Sequence, residues 1–346
     1  MNFANILVSW YLENKRPLPW RDTTDPYKIW LSEIILQQTR VEQGMPYYLS
    51  FVKSFPDVFA LAAATEEEVL KLWQGLGYYS RARNLHASAK YVAYELKGVF
   101  PKTCKELLSL KGVGDYTASA IASICYNEPV AVVDGNVYRV LSRIYGIDTP
   151  INSTEGVKQF KQLAQELLNK KDPANFNQGI MEFGATHCKP QNPLCESCPF
   201  ASRCVAFNQN LISDLPVKLK KQKVKNRYFN YLVFISEEGE TVLEQRKGKG
   251  IWEGLYEFPL VETSEEIGME NLVEEAGFQE YAPLKGEGLN LYNENSIVHK
   301  LSHQHIHTKF WILNCDRLPQ KGIPVGKMKA YPVPRLIDKF IESYNF

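Results

Sequence analysis

The 346-residue chain lacks the features of membrane and secreted proteins. No apolar stretch approaches the roughly 18 residues that a membrane-spanning helix needs, and residues 1–10 show no basic cluster ahead of an apolar run, as a signal peptide would. Internal repeats and low-complexity tracts are also missing. We therefore expect a globular protein of two domains that stays in a cytoplasm and needs no membrane.

The chain has little net charge, only +1. That value alone argues against a strongly basic nucleic-acid binder. The distribution is uneven, however: residues 1–228 contain 28 Lys and Arg against 21 Asp and Glu, whereas residues 229–346 contain 12 against 18. A basic front part and an acidic back part indicate different roles for the two parts.

Hydrophobic periodicity separates a helical front part from a strand-rich back part. Apolar residues recur at helical spacing in residues 27–43, 66–74, 82–97 and 157–170. The back part is rich in β-branched and aromatic residues and predicts strands at 231–235, 241–246 and 305–313, with a helix near 265–275. We expect an all-α domain over residues 1–212 and an α+β domain over residues 229–346.

A basic segment, residues 213–228, separates the two predicted domains. Its six cations are Lys218, Lys220, Lys221, Lys223, Lys225 and Arg227. Such a run is usually a solvated linker. The alternative is a strap that lies on phosphates, where each cation releases counterions.

Four of the seven cysteines are closely spaced, in the pattern C-x6-C-x2-C-x5-C. They are Cys188, Cys195, Cys198 and Cys204. Four thiolates within such a short loop suit one compact metal centre, either zinc or a 4Fe-4S cluster. The remaining three, Cys104, Cys125 and Cys315, lie in apolar surroundings and are expected to be packing residues.

Residues 110–118 contain the sequence Gly112-Val113-Gly114 directly before a predicted helix. Two glycines around one apolar residue favour a tight hairpin, and the free amides at the start of the helix suit a phosphate. An ordinary helix–helix turn is the competing interpretation.

Two acidic residues stand out by their context. Glu33 lies in a helical, apolar stretch that would raise its pKa and keep a proton available. Asp134 follows an apolar run and opens Asp134-Gly135-Asn136, where its ordinary role is to cap a helix.

A hairpin between two helices, a downstream Asp and the cysteine pattern together resemble the endonuclease III superfamily of helix-hairpin-helix DNA glycosylases. Three further stretches resemble its MutY branch, the adenine DNA glycosylases: residues 36–39, 75–85 and 134–137. The resemblance runs over nearly the whole chain. It implies a six-helix barrel glycosylase domain with a 4Fe-4S cluster loop at residues 188–204, followed by a Nudix-like domain.

The resemblance also implies roles for individual residues. Glu33 would be the acid that protonates adenine N7, and Asp134 the carboxylate that stabilises the sugar cation, with Tyr116 and Asn136 supporting it beside the sugar. The four cysteines would hold the cluster. Residues expected at the adenine pocket are Arg16, Trp20, Arg21 and Gln178, and those expected on the DNA are Gln37, Gln38, Thr39, Leu76, Gly77, Tyr78, Gly112 and Gly114.

The back part departs from its family pattern at two places. Residues 270–277 lack the Arg and the first Glu of the Nudix metal motif, so a working phosphohydrolase is not expected. Relatives read 8-oxoguanine with a Phe-Ser-His loop, which here is Leu301-Ser302-His303. Ser302 and His303 can still contact the lesion, whereas the aromatic wedge is replaced by Leu301.

The function expected from the resemblance is base excision repair of adenine opposite 8-oxoguanine or guanine in double-stranded DNA, by a bacterial, nucleoid-associated monomer. Three rivals remain open. They are a bifunctional lyase acting on oxidised pyrimidines, a non-catalytic sensor of lesions, and a nucleotide-pool hydrolase.

The lyase rival is testable at Tyr116, where bifunctional relatives carry a lysine. A lysine amine attacks the sugar and forms a Schiff base, which a phenol cannot do. We therefore expect a monofunctional glycosylase with at most weak strand cleavage. Borohydride should trap little covalent complex of this chain with damaged DNA, as followed by gel shift under denaturing conditions. Tyr116→Lys is the matched variant that restores an amine, and trapping of the parent protein would support the lyase.

Overall fold

The computed structural model describes residues 2–219, 224–281 and 288–346. Three cations of the predicted basic segment, Lys220, Lys221 and Lys223, therefore lie outside the described residues.

The front part of the chain is helical, as its periodicity predicts. Its helices are α1 (Phe3–Asn14), α2 (Pro26–Leu36), α3 (Val41–Ser54), α4 (Val58–Ala63), α5 (Glu66–Leu72), α6 (Ser80–Lys90), α7 (Cys104–Leu107), α8 (Asp115–Tyr126), α9 (Gly135–Tyr145), α10 (Thr154–Leu167), α11 (Pro173–Glu182) and α12 (Val205–Asn208). Single π-helical turns extend α6 over Tyr91–Glu95 and α11 over Phe183–His187. Among the described residues, no helix has the length and apolarity that crossing a membrane requires.

Helix boundaries follow local chemistry. Thr65 starts α5 with a capping box, in which its hydroxyl accepts from the Glu68 amide and Glu68 accepts from the Thr65 amide. The single helix predicted over residues 27–43 is wrong, because α2 ends at Leu36 and α3 begins at Val41. Gln38 between them adopts φ 55°, a left-handed conformation that cannot continue a helix.

Within its described residues, the back part contains the strands and three short α-helices. The strands are β1 (Lys225–Ser236), β2 (Glu240–Thr241), β3 (Glu244–Gln245), β4 (Tyr256–Glu257), β5 (Leu260–Thr263), β6 (Leu289–Leu291), β7 (Ile297–Lys300), β8 (Gln304–Cys315) and β9 (Ile323–Pro324). The helices are α13 (Met269–Glu274), α14 (Ala276–Gln279) and α15 (Arg335–Ser343).

Two long strands form the centre of the main sheet. β1 and β8 run parallel along their whole lengths, with Lys225 opposite Gln304 and Ser236 opposite Cys315. In the described chain the order is β5-β1-β8-β6, with β7 also pairing antiparallel to β8. Against the sheet lies an apolar core that includes Leu232, Phe234 and Trp311.

The predicted strands at 231–235 and 305–313 fall inside β1 and β8, but two other predictions need correction. Residues 241–246 contribute to two short strands, β2 and β3, and the helix predicted near 265–275 is limited to α13. β1 begins at Lys225, inside the segment predicted as a linker. Arg227 is therefore a strand residue, and it pairs with Glu262 at 2.6 Å.

The chain divides into two compact units. The first comprises Met1–Ala63 with Asn84–Lys220, and the second comprises Ala64–Arg83 with Lys221–Phe346. The second unit thus contains a short stretch from the helical front part. The domain boundaries predicted from sequence, 1–212, 213–228 and 229–346, remain predictions.

Candidate active site

One cavity of the first unit gathers most of the predicted catalytic and adenine-pocket residues. Its volume is about 170 Å³. Nine predicted residues line it: Arg16, Trp20, Arg21, Glu33, Thr39, Tyr116, Asp134, Asn136 and Gln178. Segments that are far apart in sequence therefore converge on one cavity.

Glu33 is buried on α2, and this burial is the largest cause that raises its pKa, to about 7. The nearby charge of Asp134 raises the pKa further, whereas a hydrogen bond with Tyr116 lowers it. The Tyr116 hydroxyl also lies 3.2 Å from Met181 Sδ. A carboxyl group with this pKa keeps a proton in a large fraction of molecules at neutral pH.

Asp134 caps α9 and lines the cavity at the same time. Its Oδ1 accepts from the amides of Asn136 and Val137, at 2.9 and 2.8 Å. Its Oδ2 accepts from Asn136 Nδ2 at 2.8 Å. Burial raises the pKa of Asp134, and these hydrogen bonds with the charge of Arg139 oppose the increase. The capping and catalytic interpretations are thus compatible.

Glu182 is a cavity residue that the sequence reasoning missed. Burial alone would raise its pKa, but hydrogen bonds from Arg16 and Arg21 outweigh burial and lower the pKa to about 2. Arg16 Nε donates to Glu182 Oε1 at 2.8 Å and Arg21 Nη2 donates to Oε2 at 2.6 Å. One available signal was that Glu182 follows Gln178 by one helical turn on α11. A carboxylate with a low pKa therefore lies in the same cavity as Glu33, whose pKa is about 7.

The predicted hairpin contains one backbone position that favours glycine, Gly112. Gly112 adopts φ 79°, and a Cβ there would meet Asn84 Cβ at 2.9 Å. Val113 between the glycines is buried. Gly114 is the N-cap of α8 and has no side chain to cap the helix. Gln37 Nε2 donates to the Gly112 carbonyl at 3.3 Å, whereas Gln38 is exposed.

The four predicted ligand cysteines, Cys188, Cys195, Cys198 and Cys204, line a single second cavity. Among the described residues, no three His, Cys, Asp or Glu side chains converge as the ligands of one metal ion do. A four-iron cubane is larger than one ion and needs its thiolates further apart. Four cysteines around one cavity fit a compact centre with four thiolate ligands, which is the donor set of a 4Fe-4S cluster.

Hydrogen-bond donors surround the sulfur atoms of this cysteine loop. Arg143 Nη1 approaches Cys188 Sγ at 3.6 Å and donates to the Lys189 carbonyl at 2.7 Å. The Phe200 amide approaches Cys198 Sγ at 3.4 Å. Donors of this kind stabilise thiolate ligands and tune an iron–sulfur centre.

Arg139 connects this loop to Asp134 within one helix. Its Nε donates to the Cys188 carbonyl at 2.8 Å, and its Nη2 donates to Asn136 Oδ1 at 2.8 Å and to the Gly184 carbonyl at 2.7 Å. Asn136 in turn donates to Asp134. A continuous chain of hydrogen bonds therefore runs from the cysteine loop to the capping carboxylate.

The predicted lesion-reading residues lie in the second unit, around a different cavity of about 360 Å³. Ser302 and His303 are exposed between β7 and β8, and the Tyr78 and Ser302 hydroxyls are hydrogen-bonded. Leu76 and Gly77 line the same cavity. Trp252, which the sequence did not single out, also lines this cavity. Its backbone is in the left-handed region, with φ 59°.

Comparisons with known proteins define first the class of protein. Residues 31–170 match the model of the HhH-GPD superfamily base excision DNA repair proteins, and residues 230–343 match the NUDIX domain model. The solved structure of a thermostable thymine-DNA glycosylase is similar, with a TM-score of 0.55 and 29% identity over 60% of this chain and 95% of that chain. The predicted fold class, a helical glycosylase domain with a Nudix-like domain, is confirmed.

Curated relatives then identify the family. An adenine DNA glycosylase of Buchnera aphidicola is 33% identical over 90% of this chain and 86% of its own length. The Arabidopsis thaliana adenine DNA glycosylase is 38% identical over 75% of this chain, which spans about half of that relative, 47%. This chain belongs to the adenine DNA glycosylase family.

The hydrogen-bond chain through Arg139 predicts that this residue positions Asp134. In Arg139→Gln the shorter side chain cannot hold the Cys188, Gly184 and Asn136 contacts together. We expect excision to slow by about 10–10²-fold, as for a misplaced catalytic group, and DNA affinity to persist. Single-turnover excision kinetics, with iron content and visible absorption recorded on the same preparation, provide the measurement.

Arg203→Gln is the control for that prediction, because Arg203 is an exposed cation on the same cysteine loop. It removes an equal charge and leaves intact the hydrogen bonds of Arg139 to Cys188, Asn136 and Gly184. If both variants slow excision alike, charge on the loop matters and the positioning role is wrong.

Proposed function

We propose that the chain hydrolyses the N-glycosidic bond of adenine opposite 8-oxoguanine, and also opposite guanine, in double-stranded DNA. The observation that carries this proposal is the pairing of Glu33 and Asp134 in one cavity. Glu33 has a pKa near neutrality, and Asp134 accepts three hydrogen bonds. A proton donor and a carboxylate in different surroundings form the pair that glycosidic bond cleavage needs.

The first chemical step would be departure of the base. Adenine leaves poorly as an anion, so proton transfer from Glu33 to adenine N7 lowers the barrier. The electron pair of the C1′–N9 bond goes to the protonated base, and the sugar becomes an oxocarbenium-like cation. Water then adds to C1′ and its proton returns to the Glu33 carboxylate, which restores the starting state.

Asp134 would stabilise the sugar cation by its charge, which the buried cavity makes stronger than in water. Asn136 fixes the orientation of that carboxylate with its own side chain and backbone amide. Tyr116 contributes a hydroxyl beside Glu33 and no amine. This set of side chains supports hydrolysis by a monofunctional glycosylase.

Adenine must leave the duplex before it can reach the cavity. Extrusion costs a few kcal/mol, which inserted side chains and backbone contacts offset. Gln37, Gln38 and Thr39 on the α2–α3 turn, and Leu76, Gly77 and Tyr78, are the proposed duplex contacts. Amides at Gly112 and Gly114, at the uncapped start of α8, would hold a phosphate.

Recognition of the opposite base is proposed for the loop with Ser302 and His303. Ser302 can donate to the altered edge of 8-oxoguanine, and the exposed position of both side chains supports contact with DNA. Leu301 is smaller than the Phe of relatives, so hydrogen bonding carries more of the discrimination. A neutral hydrogen bond contributes about 0.5–1.5 kcal/mol. The variant Ser302→Ala should therefore lower the preference for 8-oxoguanine over guanine by roughly tenfold or less.

We propose that Cys188, Cys195, Cys198 and Cys204 hold a 4Fe-4S cluster. When bound, such a cluster ties its four ligands into one rigid loop and provides a redox-active centre. Arg143 donates hydrogen bonds to this loop and Arg139 connects it with Asp134.

Glu33 determines the expected pH dependence of excision. The protonated acid is present below its pKa of about 7 and is lost as the pH rises through that value. The single-turnover rate of excision of adenine opposite 8-oxoguanine should therefore fall above pH 7. Well above this pH the rate should fall by about tenfold for each pH unit. Glu33→Gln should bind the duplex, lose roughly 10²–10⁴-fold in rate and lose this pH dependence.

Glu182→Gln is the comparison for this test, since Glu182 lies in the same cavity but is ionised throughout. Its residual activity should retain the decline above pH 7. A parent-like rate in Glu33→Gln would contradict the assignment of Glu33 as the proton donor.

A further inference from the structure

The stretch Ala64–Arg83 belongs to the same compact unit as the strands of the back part. This stretch carries Leu76, Gly77 and Tyr78, which are proposed to contact the duplex. The same unit carries Ser302 and His303, the proposed readers of the opposite base. The two functions are thus built into one unit, although more than 200 residues separate Tyr78 from Ser302.

The turn that presents Tyr78 is internally fixed. Gly75, Gly77 and Tyr78 all adopt positive φ, at 91°, 80° and 50°. Trp73 Nε1 donates to the Gly77 carbonyl at 3.0 Å, and Arg81 Nη2 donates to the same carbonyl at 3.2 Å. A turn held in this way moves with the elements on either side of it.

Helix α5, directly before this turn, is fixed to the region around α15 by a cluster of hydrogen bonds centred on Gln74. Gln74 Nε2 donates to Asp338 Oδ1 at 2.9 Å. Gln74 Oε1 accepts from the Val333 amide at 3.3 Å and from Lys71 Nζ at 3.0 Å. Lys71 Nζ also donates to the Tyr331 carbonyl at 3.1 Å.

Two further contacts support the same stretch. Arg83, at its far end, pairs with Glu253 at 2.9 Å. Gly254 adopts φ 82° and approaches α5 so closely that a Cβ there would lie 3.1 Å from Leu70 Cδ1. Polar contacts therefore flank the turn, with Gln74 and Asp338 before it and Arg83 and Glu253 after it.

We propose that Gln74 and Asp338 are positioning residues that couple recognition of the opposite base to insertion of Tyr78 into the duplex. Neither residue needs to touch DNA. Their hydrogen bond fixes the turn relative to Ser302, so that one unit engages the lesion and wedges the duplex together. The positions of groups that act on a substrate matter to within about 1 Å, so a small shift of the turn that carries Tyr78 should be detectable. This inference rests on the proposed function.

The test first breaks the hydrogen bond between Gln74 and Asp338 and then reforms it with donor and acceptor exchanged. Gln74→Glu keeps the acceptor for Lys71 and Val333 but places a carboxylate against Asp338. Asp338→Asn retains an acceptor for Gln74 and should behave like the parent protein. In the double variant Gln74→Glu/Asp338→Asn, the amide introduced at position 338 can donate to the carboxylate introduced at position 74, so the contact reforms with reversed polarity.

We expect Gln74→Glu to lower the ratio of single-turnover rates, opposite 8-oxoguanine over opposite guanine, by about tenfold. The double variant should regain the parent ratio. Fluorescence of 2-aminopurine in place of adenine should show less base extrusion in Gln74→Glu and recovery in the double variant. A residue that only stabilises the fold would not produce this pattern.

Gln320→Glu is the matched control, because Gln320 Nε2 donates to Glu244 at 2.6 Å in the same unit, away from Ala64–Arg83. Its ratio should equal that of the parent. If Gln74→Glu does not fold, Asp338→Ala removes the acceptor without opposing two carboxylates and should lower the ratio likewise.

The outcomes separate this inference from the proposed function. A parent protein that excises adenine from neither duplex, or without preference, contradicts the proposed function. A selective parent with unchanged ratio and extrusion in Gln74→Glu overturns the coupling. Equal slowing on both duplexes without recovery in the double variant overturns it as well.

Discussion

The burial of two carboxyl groups in one cavity is the constraint on which the candidate active site depends. Two like charges cannot both be buried cheaply, so one group retains its proton and the other needs hydrogen-bond donors. Glu33 lies in an apolar, buried helix, whereas Asp134 receives three hydrogen bonds at the start of α9. The difference in their surroundings, and not in their chemistry, separates an acid from a carboxylate.

Helix α9 combines several requirements in a few turns. Asp134 caps it, Asn136 and Arg139 lie in its first turns, and Arg143 follows one turn later. Arg139 and Arg143 donate to the partly buried carbonyls of Cys188 and Lys189 in the cysteine loop, and Arg139 also donates to the buried carbonyl of Gly184. Hydrogen bonds through Arg139 and Asn136 therefore connect the Cys188 carbonyl with the capping carboxylate.

The compact units do not follow the chain's simple division into a helical front and a strand-rich back. Ala64–Arg83 groups with the strands because its side chains find their partners there, as Lys71, Gln74 and Arg83 show. These contacts also limit what deletion of the back part would reveal, since deletion would remove the partners of this stretch. Point substitutions are the sharper experiment.

The sequence by itself determined the helical and strand-rich parts, the cysteine loop, the glycine hairpin and the candidacy of Glu33 and Asp134. These features are local, and periodicity, spacing and turn chemistry are local properties. The tertiary structure alone decided the pairing of Glu182 with Arg16 and Arg21, which lie 166 and 161 residues away. It also decided the attachment of Gln74 to Asp338. Such contacts depend on which side chains meet after folding, and no local pattern records that.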